Sequence, residues 1–450
     1  MSSKNLVGVV GAGNVGVATA TVLASWGSAI LLVENDPVRF ALLRANHIPF
    51  FDPELEKLLV EVAAQGTLRF SRTLDDLADA RVVVVCVGTP PTTSGALDLT
   101  ALEQTVARLA EIARRGAVIV IKSTVPPGTT TRLGRRVATD RPDLALVSCP
   151  EFLQEGNSLD DVRRPSRLVV GGADDAARQR VAALFAPGGA PLIFTDATSA
   201  ELIKYGANAF LAMKISFVNE LSHFCELVGA DISVVAQGIG TDPRIGSAFL
   251  RAGLGFGGSC FPKDVRALED LGASHGYQSL LLKACSEINA QQRDRVISKI
   301  RGALGGTFRG HHVAVLGLAF KPGTDDLRQA PALEVVAKLR AEDAVVTVTD
   351  PVAMPSTAEL PPGAQLVGDV YRCVAGADAL LLATEWPEYR AVDWEQVRSL
   401  MRGNVIVDGR NFLDGARLTE LGFAYLGVGK PTPGQPTPTR DGGAGSRPVA

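Results

Sequence analysis

A glycine-rich turn near the start of the chain constrains the fold more than any other feature of the sequence. The apolar run 6–10 predicts a strand, a G-x-G-x-x-G turn follows at once, and an apolar helical run and a second strand, 29–33, come next. This order is that of the βαβ unit that binds dinucleotides, because the glycines let a pyrophosphate approach the helix N-terminus closely. The sequence therefore predicts a doubly wound α/β domain. Its predicted cofactor contacts in the turn are Gly11, Gly13, Asn14, Val15 and Gly16.

An acidic residue closes the second predicted strand. Glu34 lies 18 residues past the last glycine of the turn, where a carboxylate accepts hydrogen bonds from ribose hydroxyls and repels a 2′-phosphate. The predicted cofactor is therefore NAD, with Arg39 as the nearby residue that would instead favour NADP. A solvated charge at a strand end is the alternative interpretation of Glu34.

Composition narrows the class of protein. A chain of 450 residues predicts two to three domains, and a net charge of −3 argues against a nucleic-acid partner. The six cysteines have no paired spacing, which predicts a reducing cytoplasm, and neither they nor the five histidines suggest a metal site. The uncharged stretch 6–33 is long enough for a membrane span, but its glycines and polar residues favour strand, turn, helix and strand.

Polar residues follow several further predicted strands of this domain. The apolar runs 81–87, 117–121 and 144–148 are typical of parallel strands that are buried on both faces. Open α/β sheets bind ligands at the carboxyl ends of their strands. The residues placed there are Thr89, Thr124 and Glu151, and Glu151 is a candidate base.

A thiol lies at a predicted helix start in the middle of the chain. The segment 255–264 combines three glycines with Cys260 and Pro262, and Pro262 suits the first position of a helix. A helix N-terminus favours thiolate over thiol, so Cys260 is a candidate nucleophile. Asp264, four residues on, projects from the same helical face. A buried structural cysteine beside a glycine turn is the alternative.

The region 199–301 reads as mainly helical, and its first helix has apolar residues on more than one face, as in a domain connector or a dimer core. Lys204 and Asn208 share one face of it, where a lysine would stabilise an oxyanion or merely occupy the surface. A second doubly wound domain follows, with predicted strands at 313–316, 345–348, 379–383 and 405–407. Its predicted phosphate ligands are Lys321, Arg328 and Arg410.

The predicted fold class is thus α/β, with two doubly wound Rossmann-like domains joined by a central domain with a long helix. The predicted boundaries are 1–198 for the NAD-binding domain, 199–301 for the central helical domain and 302–430 for the C-terminal domain. Residues 431–450 are rich in proline and glycine and predict a disordered tail.

The motifs, taken in order, resemble those of the UDP-glucose/GDP-mannose dehydrogenase family up to about residue 430. The residues that carry the resemblance are G-x-G-x-x-G, Gly88-Thr89-Pro90, Lys122-Ser123-Thr124-Val125-Pro126, Pro150-Glu151-Phe152-Leu153, Gly257-Gly258-Ser259-Cys260-Phe261-Pro262-Lys263-Asp264 and Gly317-Leu318-Ala319-Phe320-Lys321. The central helix 204–217 and the segment 244–253 are most similar to the UDP-glucose branch of the family. Departures are Glu34 for Asp, Gln154 for a basic residue and Phe256 for Tyr.

The resemblance implies a four-electron oxidation of the C6 alcohol of a nucleotide sugar to a carboxylate, with two NAD in succession and a covalent adduct on Cys260. It implies oxyanion stabilisation by Lys204 and Asn208, and acid–base or positioning roles, not divided further, for Asp264, Thr124 and Glu151. The implied NAD contacts beyond the turn are Glu34, Arg39, Thr89, Thr124, Glu155, Lys263 and Arg328. The implied substrate contacts are Phe152, Leu153, Gln154, Glu155, Lys204, Asn208, Arg244 from a neighbouring subunit, Phe249, Leu250, Arg251, Ala252, Gly253, Gly257, Lys321 and Arg410.

Two other functions remain open at this point. A GDP-mannose or UDP-N-acetylhexosamine dehydrogenase would carry the same core motifs. A non-catalytic nucleotide-sugar sensor would keep the fold, but retention of Cys260, Asp264, Lys204 and Asn208 favours an enzyme. The expected assembly is a homodimer or higher homo-oligomer without nucleic-acid or membrane partners.

Overall fold

The computed structural model describes residues 6–93, 95–356 and 359–431. Apart from Pro431, the predicted disordered tail lies outside the described residues. The chain forms two compact units. The first comprises the residues up to Phe210 together with Cys260–Leu282 and Gly323–Asp326, and the second comprises Leu211–Ser259, Lys283–Pro322 and the residues from Leu327 onward. The three predicted domain boundaries stay a prediction.

The first unit is built on an eight-stranded sheet with the order β3-β2-β1-β4-β5-β6-β7-β8. Its strands are β1 (Leu6–Val10), β2 (Ala29–Val33), β3 (Leu68–Ser71), β4 (Val82–Val85), β5 (Val118–Ile121), β6 (Ala145–Ser148), β7 (Leu168–Gly171) and β8 (Leu192–Thr195). The strands run parallel except where β7 meets β6. The order 3-2-1-4-5-6 within it is that of a dinucleotide-binding fold, as the glycine turn predicted.

The second unit repeats that order in a six-stranded parallel sheet, β11-β10-β9-β12-β13-β14. Its strands are β9 (His312–Leu316), β10 (Val345–Thr349), β11 (Ala364–Leu366), β12 (Ala379–Leu382), β13 (Val405–Asp408) and β14 (Ala424–Gly427). Strand β9 is the innermost strand of the first half, and the order reverses between β9 and β12. The predicted second doubly wound sheet is therefore confirmed.

Helices connect the parallel strands, as right-handed crossovers require. They are α1 (Asn14–Ser25), α2 (Pro37–Arg44), α3 (Pro53–Ala64), α4 (Thr100–Ile112), α5 (Thr129–Asp140), α6 (Ser158–Arg163), α7 (Asp175–Phe185), α8 (Ala197–Val228), α9 (Ile232–Gly240), α10 (Phe261–Ser274), α11 (Leu280–Ala303), α12 (Pro331–Ala341), α13 (Val370–Val374), α14 (Trp394–Leu400) and α15 (Gly415–Glu420). The 32-residue α8 is the predicted long helix. Within the described ranges, no helix combines the length and apolar character needed to cross a membrane.

The apolar runs bury both faces of their sheets. In β4, Val82 and Val84 join the hydrophobic core on one face, while Val83 and Val85 join the core on the other. Successive side chains of a strand point to opposite faces, so four consecutive valines satisfy two cores at once. The strand is therefore fixed between two layers, and the residues that follow it are held at one edge of the sheet.

Candidate functional site

In the glycine-rich turn, the structure has space for a side chain at Gly13 but not at Gly11 or Gly16. A Cβ at Gly16 would lie 1.8 Å from the Gly11 carbonyl oxygen, and Gly11 itself has φ +94°, so both positions require glycine. A Cβ at Gly13 would meet no atom within 4 Å. The helix α1 begins at the next residue without a side-chain cap or an acid in its first turn. This open helix N-terminus fits the pyrophosphate of NAD.

Glu34 is fixed at the end of β2 by two backbone N–H groups. Its Oε2 accepts from Ala12 at 2.9 Å and its Oε1 from Asp36 at 2.9 Å, and the residue is only 5% exposed. Each oxygen keeps a further lone pair for a ribose hydroxyl. These contacts are not those of a solvated strand-end charge. Arg39 lies exposed in the first turn of α2.

The two threonines at the strand ends lie next to each other. The Thr89 hydroxyl, which is buried, donates to the backbone oxygen of Thr124 at 2.8 Å. This bond joins the loop after β4 to the loop after β5. The structure therefore brings together two residues that the sequence placed at separate strand ends.

A buried ion pair lies beyond the end of β6. The Lys204 Nζ on α8 is 2.8 Å from the Glu151 Oε1, and the two residues are 2% and 7% exposed. The second carboxylate oxygen of Glu151 accepts from the backbone N–H of Leu153. Lys204 is thus not a surface lysine, which excludes one of its two predicted interpretations.

The pair stays ionised because each partner offsets the cost of burying the other. Burial alone would raise the pKa of Glu151, but the charge and hydrogen bond of Lys204 and the Leu153 N–H hold that pKa below its ordinary value. Burial likewise acts to lower the pKa of Lys204, and the charges of Glu151, Cys260 and Asp264 raise it above its ordinary value. The site therefore holds an ammonium and a carboxylate.

A second polar pair joins α8 to α10. The Asn208 Nδ2 donates to the Asp264 Oδ2 at 2.6 Å, and Asp264 has no exposed surface. The other Asp264 oxygen accepts from Lys263. Since Lys204 and Asn208 are four residues apart on α8, both project into the same interior. The predicted shared face of this helix is confirmed.

Cys260 is the N-cap residue of α10 and is partly exposed. Its backbone oxygen accepts the Asp264 N–H at 2.9 Å. The helix begins at Phe261, so Pro262 occupies its second position rather than the predicted first. The first unit thus holds Cys260 at a helix start, and a charge on Cys260 is among those that raise the pKa of Lys204.

The structure adds two cations near this cluster that sequence reasoning missed. The Arg167 guanidinium stacks 3.6 Å from the ring centroid of Phe152, and the Lys204 Nζ is 5.5 Å from the same centroid. Lys122, which is buried, lies 5.1 Å from the ring centroid of Phe185 and helps to lower the pKa of Glu151. Lys122 belongs to a motif that carries the family resemblance, but no spacing rule links either cation to its aromatic partner.

The second unit contains a cavity of about 360 Å³. It is lined by Ile215, Ser247, Ala248, Phe249, Arg251, Ala252, Gly253, Gly255, Glu385 and Arg410. Most of the predicted substrate-binding segment 249–253 thus lines one concave surface, and Leu250 beside it is buried in the core. Phe249 has φ +63°, a conformation that side chains rarely adopt and that concentrates at ligand sites.

Arg410 is occupied by the protein itself. Its guanidinium donates to the backbone oxygens of Ala383 at 2.7 Å, Phe320 at 3.3 Å and Gly255 at 3.4 Å. These bonds tie three loops of the second unit together. Arg410 therefore shapes the cavity wall, and any contact with a phosphate would add to bonds that already exist.

The glycines before Cys260 serve protein packing. A Cβ at Gly257 would lie 2.2 Å from the Gln329 oxygen, and one at Gly258 would lie 2.7 Å from the Phe320 ring. Gly255 has φ +91° and would place a Cβ 2.3 Å from the Asn289 Oδ1. Other parts of the second unit therefore approach the backbone closely at these three glycines.

The remaining predicted contacts differ in exposure and in their partners. Arg244 is exposed and pairs with Asp242 at 2.6 Å, and Arg328 is exposed. The Lys321 Nζ is 5.8 Å from the Phe320 ring centroid. Gln154 is exposed, with its N–H bonded to Asp161. Glu155 is partly buried.

The second sheet also has an acidic residue after its second strand, but this residue has more hydrogen-bond partners within the protein than Glu34 has. Asp350 follows β10 and is 4% exposed. Its oxygens accept from the N–H groups of Leu318, Ala319, Val352 and Ala353 and from the indole of Trp386, at 2.7 to 3.1 Å. The protein thus saturates a carboxylate that stands where a dinucleotide-binding sheet would present one to ribose.

Three family models match consecutive parts of the chain. The NAD binding domain of the UDP-glucose/GDP-mannose dehydrogenase family matches residues 5–188, its central domain residues 198–291, and its UDP binding domain residues 314–415.

Full-length relatives agree with these models. A UDP-glucose 6-dehydrogenase of Pseudomonas aeruginosa is 42% identical over 95% of this chain and 98% of its own length. One from Rhizobium meliloti is 40% identical over 94% and 99%. A UDP-glucose dehydrogenase structure from Pyrobaculum islandicum superposes with a TM-score of 0.88 at 35% identity, covering 95% of this chain and 98% of that one. With its two doubly wound sheets and its buried Lys204 and Asp264, the chain belongs to the UDP-glucose/GDP-mannose dehydrogenase family.

Proposed function

We propose that this chain is a UDP-glucose 6-dehydrogenase that converts UDP-glucose to UDP-glucuronate, with roles in UDP-glucuronate and polysaccharide biosynthesis. Its family consists of NAD-dependent nucleotide-sugar dehydrogenases, as the sequence predicted. The observation that carries the proposal is the cluster of Cys260, Lys204, Glu151, Asn208 and Asp264 in the first unit.

The proposed chemistry consists of two oxidations and a hydrolysis. NAD, when bound, accepts one hydride in each oxidation. The first removes a hydride from C6 and a proton from its hydroxyl, which leaves an aldehyde. The Cys260 sulfur then bonds to that carbon, and the carbonyl oxygen becomes the oxyanion of a thiohemiacetal. Loss of the second hydride gives a thioester. Water adds to it, the C–S bond breaks, and a carboxylate, the Cys260 thiol and one proton are released.

The residues around the sulfur match the charges that this sequence creates. The raised pKa of Lys204 keeps it an ammonium, and Asn208 offers an amide donor, so both suit the oxyanions that form at C6. Glu151 and Asp264 are the proposed acceptors for a hydroxyl or water proton, and Thr124 is the third residue with a proposed acid–base or positioning role. The division of that proton transfer among Asp264, Thr124 and Glu151 stays open.

Each ligand has its own set of proposed contacts. For NAD they are the glycine turn, Glu34, Arg39, Thr89, Thr124, Glu155, Lys263 and Arg328. For the nucleotide sugar they are the backbone of 152–155, Lys204, Asn208, the segment 249–253, Gly257, Lys321 and Arg410. Arg244, which is exposed beside Asp242, completes the site of a neighbouring subunit.

The proposed assembly is a homodimer or higher homo-oligomer. Exposed phenylalanines recur every seven residues along α8, at Phe210, Phe217 and Phe224, with exposures of 57, 49 and 56%. A regular apolar stripe of this kind is typical of a helix that packs against another copy. The six cysteines are free thiols, which supports the cytoplasm as the proposed compartment.

A panel of nucleotide sugars tests the substrate. We expect NADH formation with UDP-glucose at a far higher kcat/KM than with GDP-mannose or UDP-N-acetylhexosamines, and two NADH per UDP-glucuronate. Preference for another nucleotide sugar would support the alternative, a dehydrogenase of GDP-mannose or of a UDP-N-acetylhexosamine. Gln154 and Phe256, which depart from the family pattern, are the residues that favour this alternative. Absence of NADH with every sugar would favour a binding protein instead.

The cysteine tests the covalent route. Cys260→Ser is expected to abolish UDP-glucuronate formation while leaving NAD affinity, measured by calorimetry, unchanged, because a hydroxyl is a far weaker nucleophile than a thiolate. The control is Cys225→Ala, which removes a buried thiol of the second unit. Full turnover by Cys260→Ser would rule out the thioester.

A further inference from the structure

One carboxylate in the cavity of the second unit has no role in the chemistry derived above. Glu385 follows β12 and lines the cavity together with Arg251 and Arg410. Its side chain is 25% exposed. The residues on either side are anchored inside the protein, since the Thr384 hydroxyl donates to the Ala319 oxygen at 2.6 Å and the Trp386 indole to Asp350 at 3.1 Å. Glu385 is thus held at the cavity wall.

The Glu385 Oε2 is buried but accepts no hydrogen bond from any described residue. It lies 3.3 Å from the Arg410 Nε, close enough for an ion pair. The Arg410 Nε–H, however, is directed at the Ala383 oxygen at 2.7 Å, and the other guanidinium nitrogens donate to Gly255 and Phe320. Arg410 therefore balances the charge of Glu385 without satisfying its oxygen. A buried carboxylate oxygen without a donor is costly, so this position calls for a donor from a ligand.

The charge of Glu385 restricts which part of a nucleotide sugar can supply that donor. A carboxylate repels the diphosphate, which instead suits Arg251 on the same wall. The uracil N3–H stands between two carbonyl oxygens that a carboxylate also repels. A ribose offers two neighbouring neutral hydroxyls, the group that an acidic residue recognises in dinucleotide-binding folds. The sugar hydroxyls are the alternative, and they are distinguished from the ribose by measuring the binding of UDP, which has no sugar.

We propose that Glu385 is a specificity-determining residue that binds a ribose hydroxyl of the UDP moiety. The proposal rests on the proposed function, which makes this cavity the UDP site. It extends that function by a residue outside the motifs that carry the family resemblance. Glu34 and Glu385 would then serve the same chemistry on two different nucleotides, one in each unit.

Calorimetry with UDP, 2′-deoxy-UDP and 3′-deoxy-UDP on the full-length protein tests the proposal. We expect the wild type to bind at least one deoxy analogue about tenfold or more weakly than UDP, because a charge-assisted hydrogen bond is lost. Glu385→Ala is expected to bind UDP as weakly as that analogue, so that the discrimination disappears. Glu385→Gln, which keeps the shape, should retain part of it. The matched control is Glu388→Ala, an exposed acid three residues on that does not line the cavity.

The outcomes separate this proposal from the proposed function. Equal binding of UDP and both analogues by the wild type overturns the ribose contact without needing any variant. Discrimination that survives in Glu385→Ala also overturns it, as does a loss of affinity for UDP-glucose but not for UDP, which would place the sugar at Glu385. Failure of the wild type to form NADH from UDP-glucose would instead refute the proposed function.

Discussion

Lys204 is a charged residue that is only 2% exposed to solvent. Burying an ammonium in this way is tolerated only with a close partner, and Glu151 at 2.8 Å supplies it. Replacing such a pair with apolar residues often costs nothing in stability. We therefore attribute the pair to function, because it presents a fixed positive charge beside Cys260 at no reorganisation cost during the reaction.

Lys204→Ala is expected to lower kcat by about a hundredfold or more, since one preorganised oxyanion contact is lost. It should also lower Tm, because Glu151 is left buried and unpaired. The double variant Lys204→Ala/Glu151→Gln removes both charges and should recover part of the Tm but none of the kcat. Lys283→Ala, an exposed lysine on α11, is the control. A change confined to KM would show that Lys204 only binds substrate.

The ion pair also predicts a pH dependence of stability. The pKa of Glu151 is lower in the folded protein, so its contribution is present above the unfolded pKa and is lost as pH falls through the folded pKa. The raised pKa of Lys204 keeps the contribution intact until strongly alkaline pH. The Tm difference between wild type and Glu151→Gln should therefore be flat from about pH 6 to 9 and shrink only in acid. A difference that already shrinks near neutrality would mean that the folded pKa is raised instead.

Residues were predictable from the sequence where spacing carries the information. The four-residue separation of Lys204 from Asn208 places the pair on one helical face, and both side chains are buried as expected. Cys260 precedes the first residue of α10, so the shared face predicted for Cys260 and Asp264 stays a prediction. The partner of Lys204 was not predictable, because Glu151 is 53 positions away in the chain. Arg167 and Glu385 were missed for the same reason, since their neighbours come together only in the folded chain.

At the scale of elements, continuous apolar runs predicted β1, β2, β4, β5 and β6 to within a residue or two. The sequence did not predict β3, β7, β8, β11 and β14, which are short strands at or next to a sheet edge. In β8, the residues Leu192, Ile193 and Phe194 are 44, 40 and 37% exposed. Their apolar character therefore does not mark a buried face, and a hydrophobic pattern does not identify this strand. Edge strands are therefore the part of this fold that local sequence specifies least.

Two glycines in the turn between β1 and α1 allow the effect of a substitution on stability to be distinguished from its effect on NAD binding. Gly13→Ala adds a Cβ in open space at φ −78°, so Tm should be unchanged while NAD affinity falls by about tenfold or more, because the Cβ intrudes on the pyrophosphate. Gly16→Ala, matched in chemistry, would collide with the Gly11 oxygen and should lower Tm. Melting curves and NAD titration decide the matter. An unchanged NAD affinity in Gly13→Ala would place the pyrophosphate elsewhere.

For the whole molecule, the apolar stripe on α8 predicts self-association. Phe217→Glu places a charge in the middle of the stripe, so the proposed dimer should dissociate to monomers in analytical ultracentrifugation. Val38→Glu, at an apolar residue of α2 that is 68% exposed, should leave the assembly unchanged. A wild type that sediments as a monomer would contradict the proposed assembly directly.

The saturated carboxylate of Asp350 has a consequence for turnover. Because five donors of the protein already occupy it, Asp350 is not free to accept from an adenosine ribose, and we expect each polypeptide to hold one nicotinamide at a time. A reaction that consumes two must then release its first spent cofactor and admit a fresh one while the half-oxidised sugar stays attached to sulfur. Exchange of the nicotinamide is thus an obligatory step between the two oxidations of the proposed cycle.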